Sequence, residues 1–543
     1  MTTRLSLGRI PFLRPLRPPN APRTFTHNTS ALSSNARPQL PFLAPSRRRP
    51  IARFLTTETK QWLKGEVKKG VKITTYLYAG TVLVVLLVVG VQQEILEHRY
   101  PSPSDWSFFT RLHYRNTKIN EASYGSDAEQ VNWVISRRGY TKLLKRLEDP
   151  QLDGAGLKDQ EDGGIYVAGV GKTGFDITAK PEDWRRGYYE ALMGTARCAE
   201  YLNDWVVDRT RDLFFPSRVI AGDSNPNPLP VPPGSPAAPV AENCEPASDP
   251  PETYYLRILT TRGFTEKQRL DAALAYASWL DAKGTPEAAL EAYQWAVDIA
   301  TADQPKPVID RSTGVLRSSA VPPSRNVLSA ATALAVHHAT NGGISTALPI
   351  FLSVLRARRS LPEPPKQQVI AADGEEEPGL LTKAQQILTS VITPPKFPPG
   401  PDDGTSAPFR DAKERCEEAV VMTYIGEILY ASKETKTSRE DGLAWTREAV
   451  DIAEEELRGR KLSEDAKKTC KQCLEVSLGN WAKMVGRMAR EEEELKVKAS
   501  TSWLGFGSDG KDIVGRWASE QQVVKERQRR VQEVLGNKLQ VVA

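Results

Sequence analysis

Cys470 and Cys473 stand in a Cys-x-x-Cys. On a helix this spacing puts two thiols on one face, as thiol–disulfide exchange or half of a tetrahedral metal site requires. No second pair and no histidine set completes four ligands, so the two read as packed or exposed cysteines rather than as a redox or zinc centre. Residues 168–174, AGVGKTG, carry the end of a phosphate-cradling loop. The glycine needed five positions before Gly171 is Tyr166, and no apolar strand leads into it, so a surface turn is expected. His337 and His338 fall on a helix-period segment, with His338 at a packing position. No Ser/His/Asp set, zincin helix or carboxylate pair stands out. We therefore expect no enzyme, no cofactor, no metal and no small-molecule substrate.

The elements that would carry any site follow from composition. At roughly 100–200 residues per domain, 543 residues hold two to four domains. With 40% hydrophobic and 26% charged residues the balance is globular. The 40 prolines cluster in residues 221–251, 361–378 and 393–408, which read as linkers or insertions. Five scattered cysteines are too few for a disulfide-stapled scaffold. The net charge of +6 is misleading. Residues 1–72 hold ten arginines and five lysines against two glutamates, so the remainder is net acidic. That argues against a nucleic-acid-binding body.

Residues 1–57 contain no acidic side chain and are rich in Arg, Ser, Thr and Pro, the composition of a mitochondrial transit peptide, expected to be disordered. Residues 73–91, ITTYLYAGTVLVVLLVVGV, are free of charge. At 1.5 Å per residue such a helix nearly crosses the ~30 Å hydrocarbon core, and it satisfies its own backbone there. One transmembrane helix is expected, in contact with the bilayer, with Tyr76 and Tyr78 at an interface. Lys60, Lys64, Lys68, Lys69 and Lys72 precede it, whereas Glu94 and Glu97 dilute Arg99 behind it. The positive-inside rule then keeps the N-terminus in the matrix and puts the body, from about residue 101, in the intermembrane space.

The body reads as all-α: helix periods alternate with Pro-rich breaks and β alternation is nearly absent. The divisions are an N-terminal helical region at 105–215, with helices at 140–147 and 184–207, and a Pro-rich linker at 221–251. Helical repeats follow at 252–361, a Pro-rich insertion at 362–408, further repeats at 411–500, and a capping helix region at 501–543. The clearest unit spans residues 270–300, with Tyr276, Ala277 and Leu280 on a first helix, a turn at Gly284, and Ala289, Leu290, Tyr293 and Ala296 on a second. Leu334, Ala335 and His338, Gly342, then Ala347, Leu348 and Phe351 repeat the scheme. Ile425, Gly426 and Leu429 with Gly442, Leu443, Ala449 and Val450 form a looser third copy. Leu478, Trp481, Ala482 and Val485 open a fourth, whose second helix is charged and degenerate. These spacings are those of tetratricopeptide (TPR) units, in which small residues let paired helices approach. The expected fold is a TPR-like helical-hairpin solenoid behind a single transmembrane helix and a disordered leader, capped by a helix at 519–535.

A TPR array binds through its first helices. In this register the groove is lined by Asp271, Leu274, Ser278 and Asp281, then Ser329, Thr332, Val336 and Ala339. These are small, apolar or acidic, unlike the Lys, Arg and Asn that clamp carboxylate tails. They suit extended, partly apolar or basic polypeptide.

Leader, span and TPR body together, with the segments HRYPSPSDWSFFTR (98–111) and DITAKPEDWRRGYYEAL (176–192), resemble a fungal family of mitochondrial inner-membrane adaptors. Members of that family are TPR-containing subunits of the i-AAA protease. The resemblance implies a non-enzymatic role in quality control: recognising unfolded or membrane proteins and delivering them to the protease. The alternatives are an assembly or scaffold factor for an inner-membrane complex and an outer-membrane import receptor.

Overall fold

The computed structural model describes residues 57–122, 131–159, 174–302, 307–365, 396–432, 437–459, 462–501 and 515–535, apart from one or two positions inside them, and the strand pair at 166–167 and 171–172. The leader up to residue 56 and the insertion from 366 to 395 lie outside the described residues. Thr57, expected to close the leader, is instead the first residue of a helix.

Thirteen α-helices and seven short strands are present among the described residues. The helices are α1 (Thr57–Arg99), α2 (Phe108–Ala122), α3 (Trp133–Glu148), α4 (Glu182–Tyr201), α5 (Pro251–Thr260), α6 (Glu266–Ala282) and α7 (Pro286–Thr301). After them come α8 (Arg325–Thr340), α9 (Ile344–Arg359), α10 (Ala412–Ala431), α11 (Ser438–Leu457), α12 (Glu464–Thr501) and α13 (Arg516–Leu535). Helix α1 has 43 residues, about 65 Å at 1.5 Å each. It contains the charge-free stretch 73–91, whose side chains are exposed. It is long and apolar enough to cross a membrane. The chain divides into a unit up to Leu87 and a unit from Val88 onward. Within the second, the last turns of α1 are held by α2. Arg111 and Arg115 pair with Glu97, Arg115 at 2.8 Å, and Arg115 also donates to the carbonyl of Gln93 at 3.2 Å. Arg115 is 1% exposed.

Among the described residues two large hydrophobic cores follow, beside a small cluster of Phe215, Val219 and Ile220. The first gathers Trp106, which precedes α2, with Tyr114, Tyr140, Leu143, Trp184, Tyr188, Leu192, Tyr255 and Ile258 from α2 to α5, and reaches Ala272 of α6. Helix α5 packs both on α4 and on α6, and its Leu259 lies against both cores. The helix expected at 184–207 stops at Tyr201, and Trp205–Asp208 form strand β5 instead. In chain order the strands are β1 (Lys158–Asp159), β2 (Tyr166–Val167), β3 (Gly171–Lys172), β4 (Phe175–Asp176), β5, β6 (Leu213–Pro216) and β7 (Cys244–Pro246). β1 pairs with β4 and β2 with β3, while β5 is flanked by β6 and β7, all antiparallel. The described residues are mostly helical, as expected, with these short strands in addition, and the end of the Pro-rich linker expected at 221–251 is a sheet edge. Periodicity misses such strands, since two to four residues are too few for alternation to register.

The second core runs from α6 to α13. Each helix from α6 onward packs on the next, and the first helices of consecutive hairpins also touch, α6 with α8, α8 with α10 and α10 with α12. Gly284 and Gly342 turn the first two hairpins with φ of +80° and +81°, where a side chain would be strained. All four first helices start on a side-chain cap: Thr265, Ser324, Asp411 and Ser463 each accept from a backbone N–H three residues on. Ala277, Leu280, Ala289, Tyr293, Ala296, Leu334, Ala335, Ala347 and Phe351 are buried, and Tyr276, Leu290 and Leu348 are half-buried against the same core. His337, at 3% exposure, takes the packing place expected for His338.

Hairpins two and three are further tied by buried carboxylates on α10. Glu414 pairs with Arg358, and Glu418 with Arg359 and Arg410 at 2.7 and 2.9 Å. The charged stretch expected to form a separate second helix of the fourth copy continues α12 without a break, because nothing between Met488 and Lys498 interrupts helix propensity. Its partner is α13, whose first N–H groups, those of Arg516 and Trp517, are capped by Glu492 at 3.1 Å each.

Candidate functional site

The eight residues expected to line a groove all keep accessible surface: Ser278 is exposed, and Asp271, Leu274, Asp281, Ser329, Thr332, Val336 and Ala339 are half-buried. The structure does not leave them equally available. Asp281 accepts from Nδ1 of His337 on α8 at 2.9 and 3.0 Å, and from the amide of Asn341 at 3.4 Å, so it ties α6 to α8. Asp271 pairs with Lys267 at 3.3 Å, and burial raises its carboxyl above the ordinary value. It faces a cavity of about 400 Å3 whose opposite wall is Gly400, Pro401 and Asp403.

That wall is part of the insertion. Residues 396–411 run as a strap over the N-terminal ends of α6 and α8. The Phe397 ring lies 4.1 Å from the Arg186 guanidinium, and Arg186 also donates to the carbonyl of Pro398. Asp403 accepts from the Lys267 N–H at 3.0 Å, adding a carboxylate to a helix N-terminus. Asn326 donates its amide to the Asp403 carbonyl at 2.9 Å and its N–H to the Gly404 carbonyl at 3.1 Å, and the Arg325 N–H reaches Ser406 at 3.2 Å. The α6 end of the first-helix face is thus covered by the chain itself.

The other end is open. Between α8, α9 and α10 lies a socket of about 240 Å3, lined by Val336 and Ala339 of the expected set with Phe351, Tyr424, Ile428 and Glu427. About 150 Å3 holds a benzene ring, so one bulky apolar side chain fits. Glu427 is the one charged residue lining the socket among the described residues. The Asn480 amide donates to it, and burial raises its carboxyl against the opposing effects of that hydrogen bond and of Lys483. Sequence reasoning missed Tyr424, Glu427 and Ile428, although a signal was present. Glu427 follows Gly426 as Ser278 follows Ala277 and Val336 follows Ala335.

The other chemistry-bearing residues are dispersed. Cys470 is bonded to Cys416, joining α12 to α10 with Cα atoms 5.1 Å apart. Cys470, read from sequence only as a packed or exposed cysteine, has its partner 54 residues away rather than at Cys473 on its own helix. Cys473 is buried, and burial pushes its thiol up to about 11, so it is a poor nucleophile at neutral pH. Tyr166–Val167 pair with Gly171–Lys172 as a two-stranded hairpin. Residues 168–170 at its tip lie outside the described residues. Among the described residues no group of three His, Cys, Asp or Glu is placed to hold a metal ion. No protein-family model, no curated protein and no solved structure matches the chain.

Proposed function

We propose that this protein is a membrane-anchored adaptor whose TPR-type hairpins bind extended, partly apolar polypeptide on the face of their first helices. In this reading it is not an enzyme: it passes unfolded or membrane proteins to an ATP-dependent inner-membrane protease of the i-AAA class for degradation. The observation that carries the reading is the open socket at Val336, Ala339 and Tyr424, on the face where repeat register puts ligand contacts. An apolar recess of that size on a helical-hairpin face suits one large side chain of an otherwise extended ligand.

The compartment has separate support. A disulfide persists where thiols are not kept reduced, and the Cys416–Cys470 bond lies in the body behind the span. It favours the intermembrane space for the body and the matrix for the N-terminus, the orientation that the lysine-rich flank of α1 also favours.

The test is affinity purification from gently solubilised mitochondria, with wild type beside L274D and V336D. We expect the ATP-dependent protease and unfolded clients to co-purify with wild type, and V336D to lose the clients while keeping the protease. Respiratory-complex subunits in place of the protease would indicate an assembly factor instead. Recovery in outer-membrane fractions would indicate an import receptor, and undiminished client recovery with both variants would refute the groove.

A further inference from the structure

We propose that the socket between α8 and α10 reads a bulky apolar side chain together with an adjacent lysine or arginine, Glu427 being the residue that sets this preference. The inference rests on the groove reading above and names its ligand class. The socket wall is otherwise uncharged: Val336, Ala339, Phe351 and Ile428 are apolar, and Tyr424 adds a ring. Glu427 stands at its edge without an ion-pair partner among the described residues. Lys483 of α12 acts on it only at a distance, and Asn480 supplies a neutral donor. A second acid, Glu417, also acts on Tyr424, but it is paired with Arg358 at 3.9 Å, which leaves Glu427 as the carboxylate that meets an incoming ligand. An apolar side chain entering here excludes water from Glu427, and a carboxylate so placed is stabilised by a cation and destabilised by a second acid. The burial that already raises the Glu427 carboxyl points the same way.

The test uses the full chain in lipid nanodiscs and two short fluorescent peptides, read by anisotropy against empty nanodiscs. Both have one central leucine in a Gly/Ser background; one carries lysine beside it, the other glutamate. We expect the lysine peptide to bind wild type at least about tenfold more tightly. E427Q should bring the two within about twofold, E427K should invert the preference, and A339W, which fills the socket, should abolish both. Equal binding of the two peptides to wild type, or a preference that survives E427Q, overturns the assignment of Glu427 and leaves the groove reading standing. Failure of both peptides to bind wild type overturns both. Unchanged melting of E427Q keeps loss of fold out of the comparison.

Discussion

The carbonyl oxygen of Gly426 lies 2.5 Å from where a β-carbon on Gly442 would sit, and the backbone nitrogen of Tyr430 lies at the same distance. Helices α10 and α11 therefore meet backbone to backbone, and no side-chain rotation can relieve an added methyl. Gly442→Ala should destabilise the protein by about 1–3 kcal/mol. Gly479→Ala, in α12 with no heavy atom within 4 Å of the new β-carbon, should be neutral or stabilising by up to about 1 kcal/mol. Thermal melting of the two variants side by side checks this, and equal effects would contradict the close approach.

The disulfide between Cys416 and Cys470 closes a 54-residue separation. In the chain-entropy account a loop of that length stabilises by about 4 kcal/mol, so C416S or C470S should lower the melting temperature, and reductant should do the same to wild type alone. Of the remaining thiols, Cys198 and Cys473 are buried and pushed up to about 12 and 11, and Cys244 is half-exposed. Native alkylation followed by mass spectrometry should modify Cys244 first. Rapid labelling of Cys470 in non-reduced protein would refute the pairing.

Glu97 and Arg115 join the end of α1 to α2 at 2.8 Å, with Arg115 almost fully buried. Glu97→Ala leaves that guanidinium without its carboxylate and should destabilise by about 3–5 kcal/mol. Replacing both by apolar residues of similar size should recover much of the loss. Denaturant titration of the single and double variants measures the difference, and a harmless single variant would show the pair to be unimportant.

Asn326 holds the strap from beneath, donating to both the Glu266 carboxylate at 2.8 Å and the Asp403 carbonyl. Asn326→Ala removes both donations, a loss of about 1–3 kcal/mol. Residues 396–411 should then be cut faster by an added protease. An unchanged digestion pattern would mean the strap is held elsewhere.

Burial and the neighbouring His337 ring hold His338 below the ordinary histidine value of 6.5. The unfolded chain therefore takes up this proton before the folded one does. Stability should fall as pH drops below about 6.5 and continue to fall until the folded group is protonated as well. His338→Gln should flatten that slope in denaturant titrations across the acidic range, and an unaltered slope would assign it to other groups.

The local features of this chain were legible in its residues. The charge-free run at 73–91 lies in a single helix, Gly284 and Gly342 turn the first two hairpins, and the small residues Ala277, Ala289, Ala335 and Ala347 are buried between helices. Each of these depends on neighbours within a few residues, so composition and period carry it. The strands at 205–208, 213–216 and 244–246 were missed because three or four residues leave no periodic trace. Contacts distant in sequence left no trace either. Cys470 finds Cys416 rather than Cys473, Asp403 crosses to Lys267, and Glu427 joins Val336 and Ala339 at one recess. Such pairs are chosen by which helices stack on which, a packing outcome of the whole chain that no local window encodes.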